Sequence, residues 1–160
     1  MLSKVSIKKL DREIAKYPPS RRSSAVMAAL IIAQDEHGWL RRELIEFVAS
    51  YLEMPEVAVW EVATFYNMYN LSEPGRFKIT ICTNLPCILS GGENAANYLK
   101  ESLGIGFNQT TKDRIFTLKE GECMGACGDA PVCLVNDKEM KSFMGPEKID
   151  KLLAELRGKT

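Results

Sequence analysis

Four of the five cysteines in this chain fall in two closely spaced pairs. Cys82 and Cys87 enclose four residues in CTNLPC, Cys123 and Cys127 enclose three in GECMGAC, and 35 residues separate the pairs. In a reducing compartment, clustered thiols more often bind a metal or do redox chemistry than form structural disulfides. The spacing therefore indicates a thiolate-ligated metal centre or a redox-active dithiol.

Three kinds of chemistry are considered for these thiols. Four thiolates can hold one zinc ion, which would staple the two loops together. A redox-active dithiol normally has the spacing CxxC, which this sequence lacks. A [2Fe-2S] cluster takes two cysteines for each iron, and Gly125, Ala126 and Gly128 would let the backbone approach inorganic sulfide closely. The residues alone favour the cluster and leave zinc open.

The composition is that of a soluble globular chain, with 46% hydrophobic residues and 21 basic residues balancing 21 acidic ones. A balanced charge gives no broad positive field for nucleic acid or an anionic bilayer. The apolar run at 25–33 follows Arg21 and Arg22 as in an export signal, but no small-residue cleavage site follows it. It is also shorter than the roughly 20 residues of a membrane helix. We expect a buried helix there, no nucleic-acid partner and no direct membrane insertion.

The first part of the chain has helical periodicity throughout. Apolar spacing predicts helices at about 6–17, 24–36, 41–52 and 55–69, and the turn-rich SEPG at 72–75 ends this bundle. An aromatic stripe on the fourth helix is typical of a core, although a partner-binding face can also carry one: Trp60, Phe65, Tyr66 and Tyr69.

Beyond Gly75 the pattern changes to strands and helices in turn. A strand is predicted at 76–82, followed by a helix. The SGGE sequence at 90–93 fits a capping box at the start of this helix, with Ser90 as the cap. A strand at 114–120, a hairpin near Asn136 and a C-terminal helix follow. Because a helical crossover makes its two strands parallel, both strands end at one edge of the sheet. We expect this topology to bring the two cysteine pairs together there, where open α/β sheets usually bind ligands.

The remaining candidate residues favour structural roles. Cys133 lies inside a predicted strand, where a buried cysteine usually packs in the core. His37, the only histidine, ends a helix, so capping or packing is favoured over catalysis. The GIGFNQ stretch at 104–109 follows a helix and lacks the last glycine of a dinucleotide-binding loop. The sequence has no other nucleotide-binding motif, so we expect no NAD or flavin site on this chain alone.

Four stretches together identify a family resemblance. CTNLPCILSGG, ECMGACGDAPVCLVN, VATFYNMY and QDEHGWL resemble the E subunits of bacterial respiratory NADH:quinone oxidoreductase, complex I, over about residues 15–157. The resemblance implies an α+β chain: a helical bundle at 1–74 that docks a partner, then a thioredoxin-like ferredoxin domain with a mixed sheet at 75–160. It also implies one [2Fe-2S] cluster, bound by Cys82, Cys87, Cys123 and Cys127.

The same resemblance implies a function and a partner. The chain would be an electron-transfer subunit that exchanges single electrons with FMN on an F subunit, which also holds NADH and a [4Fe-4S] cluster. The two would form a heterodimer within a larger complex, peripheral on the cytoplasmic face of the membrane. Two alternatives remain: the equivalent subunit of an NAD-linked formate dehydrogenase or hydrogenase, and a four-cysteine, zinc-stabilised adaptor with no redox role.

Overall fold

A computed structural model describes residues 1–159 of the chain. The chain folds into two compact units, one spanning Met1–Glu73 and the other beginning at Pro74. Among the described residues, the first unit holds four α-helices, and the second holds three more helices and a five-stranded mixed sheet. The predicted α+β class is confirmed.

The first unit is helical, as its periodicity predicted. Its helices are α1 (Lys4–Ile14), α2 (Val26–His37), α3 (Arg42–Leu52) and α4 (Glu56–Phe65), with a 3-10 helix at Pro19–Ala25 before α2. The inward faces of these helices form one hydrophobic core, which includes the fully buried Leu10, Leu30, Ile45 and Val59. The apolar run at 25–33 is therefore helical, as expected, and most of it is buried, although Ile31 is exposed. Within residues 1–159, no helix combines the length and the apolar character needed to span a membrane.

The fourth helix is shorter than predicted. It ends at Phe65, and Tyr66 has extended backbone angles. Beyond it, Tyr69 turns inward and donates a hydrogen bond from its hydroxyl to the Met27 carbonyl, 3.0 Å away. Burial raises the pKa of Tyr69 to about 12. The aromatic stripe is thus divided, because Tyr69 belongs to the core whereas Phe65 is exposed.

The sheet of the second unit has the strand order β2-β3-β1-β4-β5. Its strands are β1 (Phe77–Cys82), β2 (Gln109–Thr110), β3 (Phe116–Gly121), β4 (Cys133–Val135) and β5 (Glu139–Lys141). β1 and β3 pair in parallel, as the crossover predicted, and the other neighbouring strands are antiparallel. The sheet is therefore mixed, as expected, although the two-residue strand β2 was not predicted.

Three helices accompany the sheet: α5 (Leu85–Leu89), α6 (Gly92–Leu103) and α7 (Pro146–Arg157). α6 connects β1 to the strand pair β2 and β3, and it packs against β1, β3 and α7. Apolar side chains of α6, α7 and one sheet face form the core of this unit, including Ile79, Phe116, Leu99 and Ile149. The opposite face of β1 is buried too, through Lys78, Thr80 and Cys82.

The predicted capping box at Ser90 is wrong. Ser90 follows the end of α5, and its hydroxyl donates to the Pro86 carbonyl at 3.0 Å instead of capping α6. The residue before α6 is Gly91, whose φ of 91° suits glycine. A Cβ on Gly92 would lie 2.7 Å from the Cys87 carbonyl oxygen. The chain therefore passes from α5 to α6 through two glycines, the first because of its positive φ and the second because it lies against the backbone of Cys87.

We expect Gly75→Ala to destabilise the second unit by about 1–3 kcal/mol, the usual cost of overpacking. A Cβ on Gly75 would lie 2.9 Å from the Phe116 carbonyl carbon and 3.0 Å from the Arg114 carbonyl oxygen, so backbone would have to move. Thermal unfolding followed by far-UV circular dichroism measures the change. Gly145→Ala is the matched control, because nothing lies within 4 Å of its new Cβ. Equal melting temperatures for the two variants would contradict the expectation.

Candidate functional site

The two cysteine pairs leave the sheet at the same edge. Cys82 is the last residue of β1, and its register partner in the parallel strand β3 is Gly121. Cys87 lies on α5, directly after β1, whereas Cys123 and Cys127 lie on the loop that follows β3. Cys82 and Cys87 are buried, and Cys123 and Cys127 are exposed. The convergence that the topology predicted is therefore present.

The thiols are arranged as two adjacent pairs. The Cys87 thiol is hydrogen-bonded with that of Cys82, and the Sγ atoms of Cys123 and Cys127 lie 3.9 Å apart. Cys127 also interacts electrostatically with both Cys82 and Cys87, so the pairs are neighbours. In the described part of the chain, no three or more His, Cys, Asp or Glu side chains form a group that could hold a single metal ion.

The electrostatics of the site oppose ionisation of free thiols. Burial raises the pKa of Cys87, and the hydrogen bond and charge of Cys82 raise it further. The pKa of Cys127 is raised first by its hydrogen bond with Cys123 and then by repulsion from that neighbour. Thiolates that crowd together repel each other, and a bound metal cation relieves this repulsion. Cys87 and Cys127 thus favour the thiol form in the free chain, and a bound cationic centre would favour their thiolates.

Backbone amides reach the sulfur atoms on both sides of the site. A backbone hydrogen bond from Val132 lowers the pKa of Cys87 and so partly opposes burial and Cys82, which raise it. The Gly125 amide donates to the Cys123 Sγ at 3.4 Å, and the φ of Gly125 is 73°. A Cβ on Gly125 or Gly128 would meet nothing within 4 Å, so no protein atom fills the space beside these two residues. Donors of this kind stabilise sulfur that carries negative charge.

The two loops are held together by residues that the sequence patterns did not indicate. Thr83 donates from its hydroxyl to a Glu120 carboxylate oxygen at 2.8 Å, and Asn84 donates from its amide to Glu122 at 3.0 Å. The Thr83 amide also donates to the Gly121 carbonyl at 3.1 Å. The helix α5 was missed as well, although Pro86 in its first turn was an available signal. These contacts fix the position of one thiol pair relative to the other.

Cys133 is separate from the four site thiols. It lies on β4, is fully buried and belongs to the core between the sheet and its helices. Desolvation raises the pKa of its thiol to about 12. Its neighbour Val132 points the other way and packs against Cys82 and Cys87. The structure therefore supports core packing, as predicted.

The other sequence candidates have structural positions. His37 is the last residue of α2, 3.6 Å from the Glu36 carboxylate, and Gly38 ends that helix with a φ of 82°. Gly104 ends α6 with a φ of 64°, so the GIGFNQ stretch begins as the helix end and loop that were expected. Both positions are therefore helix ends.

The fold and the paired thiols define a class of protein: an α+β chain whose mixed sheet presents two cysteine loops at one edge. A family model for thioredoxin-like [2Fe-2S] ferredoxin matches residues 10–157. The chain belongs to this family, and the family assignment made from its sequence motifs is confirmed.

Curated relatives carry the resemblance over most of the chain. The E subunit of the NADH-quinone oxidoreductase of Rickettsia felis is 44% identical over 143 residues, which cover 89% of this chain and 85% of the relative. NADH-quinone oxidoreductase subunit 2 of Thermus thermophilus is 38% identical over 148 residues, which cover 92% of this chain and 82% of the relative.

A solved structure shares the fold at low sequence identity. A chain of the NAD+-reducing [NiFe]-hydrogenase in its air-oxidised state superposes with a TM-score of 0.69 at 19% identity. The match covers 82% of this chain but only 23% of the hydrogenase chain. At this identity the likeness shows the fold alone.

Thiol reactivity should follow the burial of the five cysteines. In the folded, metal-free chain at about pH 8, we expect Ellman's reagent to modify Cys123 and Cys127 first, because thiolate formation and access control the rate. Cys133 should react only after unfolding, since its pKa near 12 keeps it protonated and its side chain is enclosed. Stopped-flow absorbance counts the thiols in each phase.

Cys133→Ala is the control for this experiment. It should leave the fast phase unchanged and remove one thiol from the total counted in denaturant. Loss of a fast-reacting thiol in this variant would contradict the burial of Cys133.

Proposed function

We propose that this chain is an electron-transfer subunit of the NADH-dehydrogenase module of respiratory complex I. It exchanges single electrons with FMN on a partner flavoprotein. One observation carries the proposal: two pairs of thiols lie at one edge of the sheet. They do so in a chain that is 44% identical to the E subunit of an NADH-quinone oxidoreductase. The chain contributes a metal-binding redox site to an oxidoreductase complex and carries out no hydride chemistry of its own.

The site suits a [2Fe-2S] cluster held by Cys82, Cys87, Cys123 and Cys127. Such a cluster takes one pair of cysteines per iron, and the thiols lie as two neighbouring pairs. Backbone amides already donate to sulfur at Cys87 and Cys123. When bound, the cluster supplies reversible one-electron transfer.

The protein groups around this site have distinct roles. The buried Cys82 and Cys87 anchor one side against Val132 and exclude water there. The exposed Cys123 and Cys127 lie on the solvent side, where a redox partner can approach. Thr83 and Asn84 hold the first loop against the second through Glu120 and Glu122. The chain thus positions ligands and leaves one side open.

The partner is an F subunit that binds NADH, FMN and a [4Fe-4S] cluster. A [2Fe-2S] cluster cannot accept a hydride, so a flavin must first split the two-electron donor into single electrons. The two subunits form a heterodimer within a larger complex, held peripherally on the cytoplasmic face of the membrane. The helical unit at 1–74 is proposed as a docking region, and it exposes Phe65 and Val57 on α4.

A related assembly is the second candidate. The fold likeness to an NAD+-reducing [NiFe]-hydrogenase fits an equivalent subunit of such an enzyme or of an NAD-linked formate dehydrogenase. Identity of 38–44% to NADH-quinone oxidoreductase subunits, against 19% to the hydrogenase, supports complex I. Purification of the native complex separates the two, because the other subunits that co-purify with this chain identify the assembly.

Metal analysis and ligand variants test the cluster against the zinc alternative. Anaerobically purified protein should be coloured and hold about two irons and two acid-labile sulfides per chain. Cys87→Ala and Cys127→Ala should lose or badly destabilise the visible absorption, because each opens a coordination position. Cys133→Ala is the matched control and should keep the spectrum.

Either of two outcomes would overturn the proposed cluster or its proposed ligands. One is stoichiometric zinc without sulfide in natively produced protein. The other is a spectrum that survives the two ligand substitutions and is lost with Cys133→Ala.

NADH reduction tests the division of labour between subunits. We expect NADH to bleach the visible spectrum of this chain only in the presence of the F subunit. A fragment beginning at residue 74 should keep its spectrum, because it has its own sheet and core, but bind the F subunit at least about tenfold more weakly. If NADH bleaches the isolated, flavin-free chain, the proposed division of labour is wrong. If the fragment binds the F subunit as tightly as the full chain does, the proposed docking role of the helical unit is wrong.

A further inference from the structure

An exposed apolar helix lies beside the thiols. Every residue of α5 except Cys87 is exposed, including Leu85 at 65%, Ile88 at 40% and Leu89 at 79%. These three follow the spacing i, i+3, i+4, so they share one side of the helix. Cys87 points into the protein and anchors the helix beneath them. Contiguous apolar side chains in water commonly mark an interaction site.

The loops around α5 carry charge of one sign. We call residues 83–93 and 120–130 the thiol edge. This part of the sequence contains four acidic residues and no lysine or arginine, the acids being Glu93, Glu120, Glu122 and Asp129. A bound cluster with its four thiolates would add further negative charge.

Three of these carboxylates are held in place by hydrogen bonds. Thr83 donates a hydrogen bond to Glu120, and Asn84 donates one to Glu122. Thr83 and Asn84 directly precede α5. The Ser142 hydroxyl donates to the Asp129 carboxylate at 3.2 Å. Side chains that are ordered before binding lose less entropy when a partner docks. The negative rim is therefore prepared for an oppositely charged surface.

We propose that the thiol edge is an electron-transfer docking face, and that its occupant is an apolar surface with a cationic rim on the flavin-bearing subunit. This inference rests on the function proposed above and adds a second contact to that proposed for the helical unit. The apolar triad on α5 supplies the contact area, and the fixed carboxylates supply orientation and long-range attraction. Redox partners commonly meet through small interfaces of this kind.

The charge of the face argues against a second copy of this chain as its occupant. Two copies meeting through the thiol edge would bring eight acidic residues together without a basic one from either edge. Like charges that face each other across an interface oppose association. A cationic partner removes that repulsion and covers the exposed leucines at the same time.

Apolar variants of α5 test the contact directly in the full-length, cluster-loaded chain. Leu85→Ala with Leu89→Ala should keep the visible spectrum, because neither side chain is a ligand, while the Kd for the purified F subunit rises at least tenfold. Met140→Ala is the matched control, an exposed apolar residue on β5, and should change the Kd less than twofold. Biolayer interferometry at fixed ionic strength measures each value.

Charge variants test the cationic rim. Glu120→Gln with Glu122→Gln keeps an acceptor for Thr83 and Asn84 and removes two negative charges. We expect a slower association rate and a weaker dependence of that rate on salt, because steering by charge is screened by ions. Glu101→Gln, on an exposed face of α6, is the control and should keep the association rate of the unchanged chain.

The outcomes separate this inference from the proposed function. If the unchanged chain binds the F subunit and both double variants bind equally well, the docking face is wrong and the proposed function stands. If the unchanged chain does not bind the F subunit at all, both fail. If the chain forms a dimer in sedimentation experiments that Leu85→Ala with Leu89→Ala abolishes, the occupant is a second copy and the inference is overturned.

Discussion

The parallel pairing of β1 with β3 is the constraint on which the thiol site depends. It sets Cys82 opposite Gly121, so the loops after both strands begin at the same level of the sheet. A glycine in close contact with its neighbours lies at each end of the pair. At the start, Gly75 lies against the backbone of residues 114–116, and a Cβ at Gly121 would lie 2.7 Å from Thr80 Cγ2. A displaced register would separate the thiol pairs, because each loop has little freedom beyond its strand.

Charge is the second constraint on the site, because four thiols lie close together there. The free site lies in an acidic part of the chain, and the pKa values of Cys87 and Cys127 are raised. The raised pKa values favour the neutral thiol at Cys87 and at Cys127 in the free chain. Amide donors at Cys87 and Cys123 then favour the anionic form. Folding and metal binding use the same loops without requiring four uncompensated charges.

Sequence patterns predicted the features that depend on long periodicity or topology. They gave the four helices of the first unit, the parallel strand pair and the meeting of the cysteines. They failed where short segments and distant contacts decide the structure. α5 is too short to show a helical periodicity in its sequence. Ser90 does not cap α6, because its hydroxyl donates to the Pro86 carbonyl instead. The pairing of Thr83 with Glu120 spans 37 positions, so no local pattern in either segment shows it.

Strand register also decides which cysteines are available at the site. Successive residues of a strand point to opposite faces, so Val132 and Cys133 cannot both face the thiols. β4 pairs with β1 so that Cys133 is opposite Ile81, within the apolar core, while Val132 packs against Cys82 and Cys87. A slip of one residue would exchange them and place a fifth sulfur beside the other four. Asn136, in the turn that follows β4, holds this register, because its backbone amide donates to the Lys78 carbonyl and its side-chain oxygen accepts from the Lys78 amide, each at 2.8 Å. These bonds therefore keep a competing thiol out of the site.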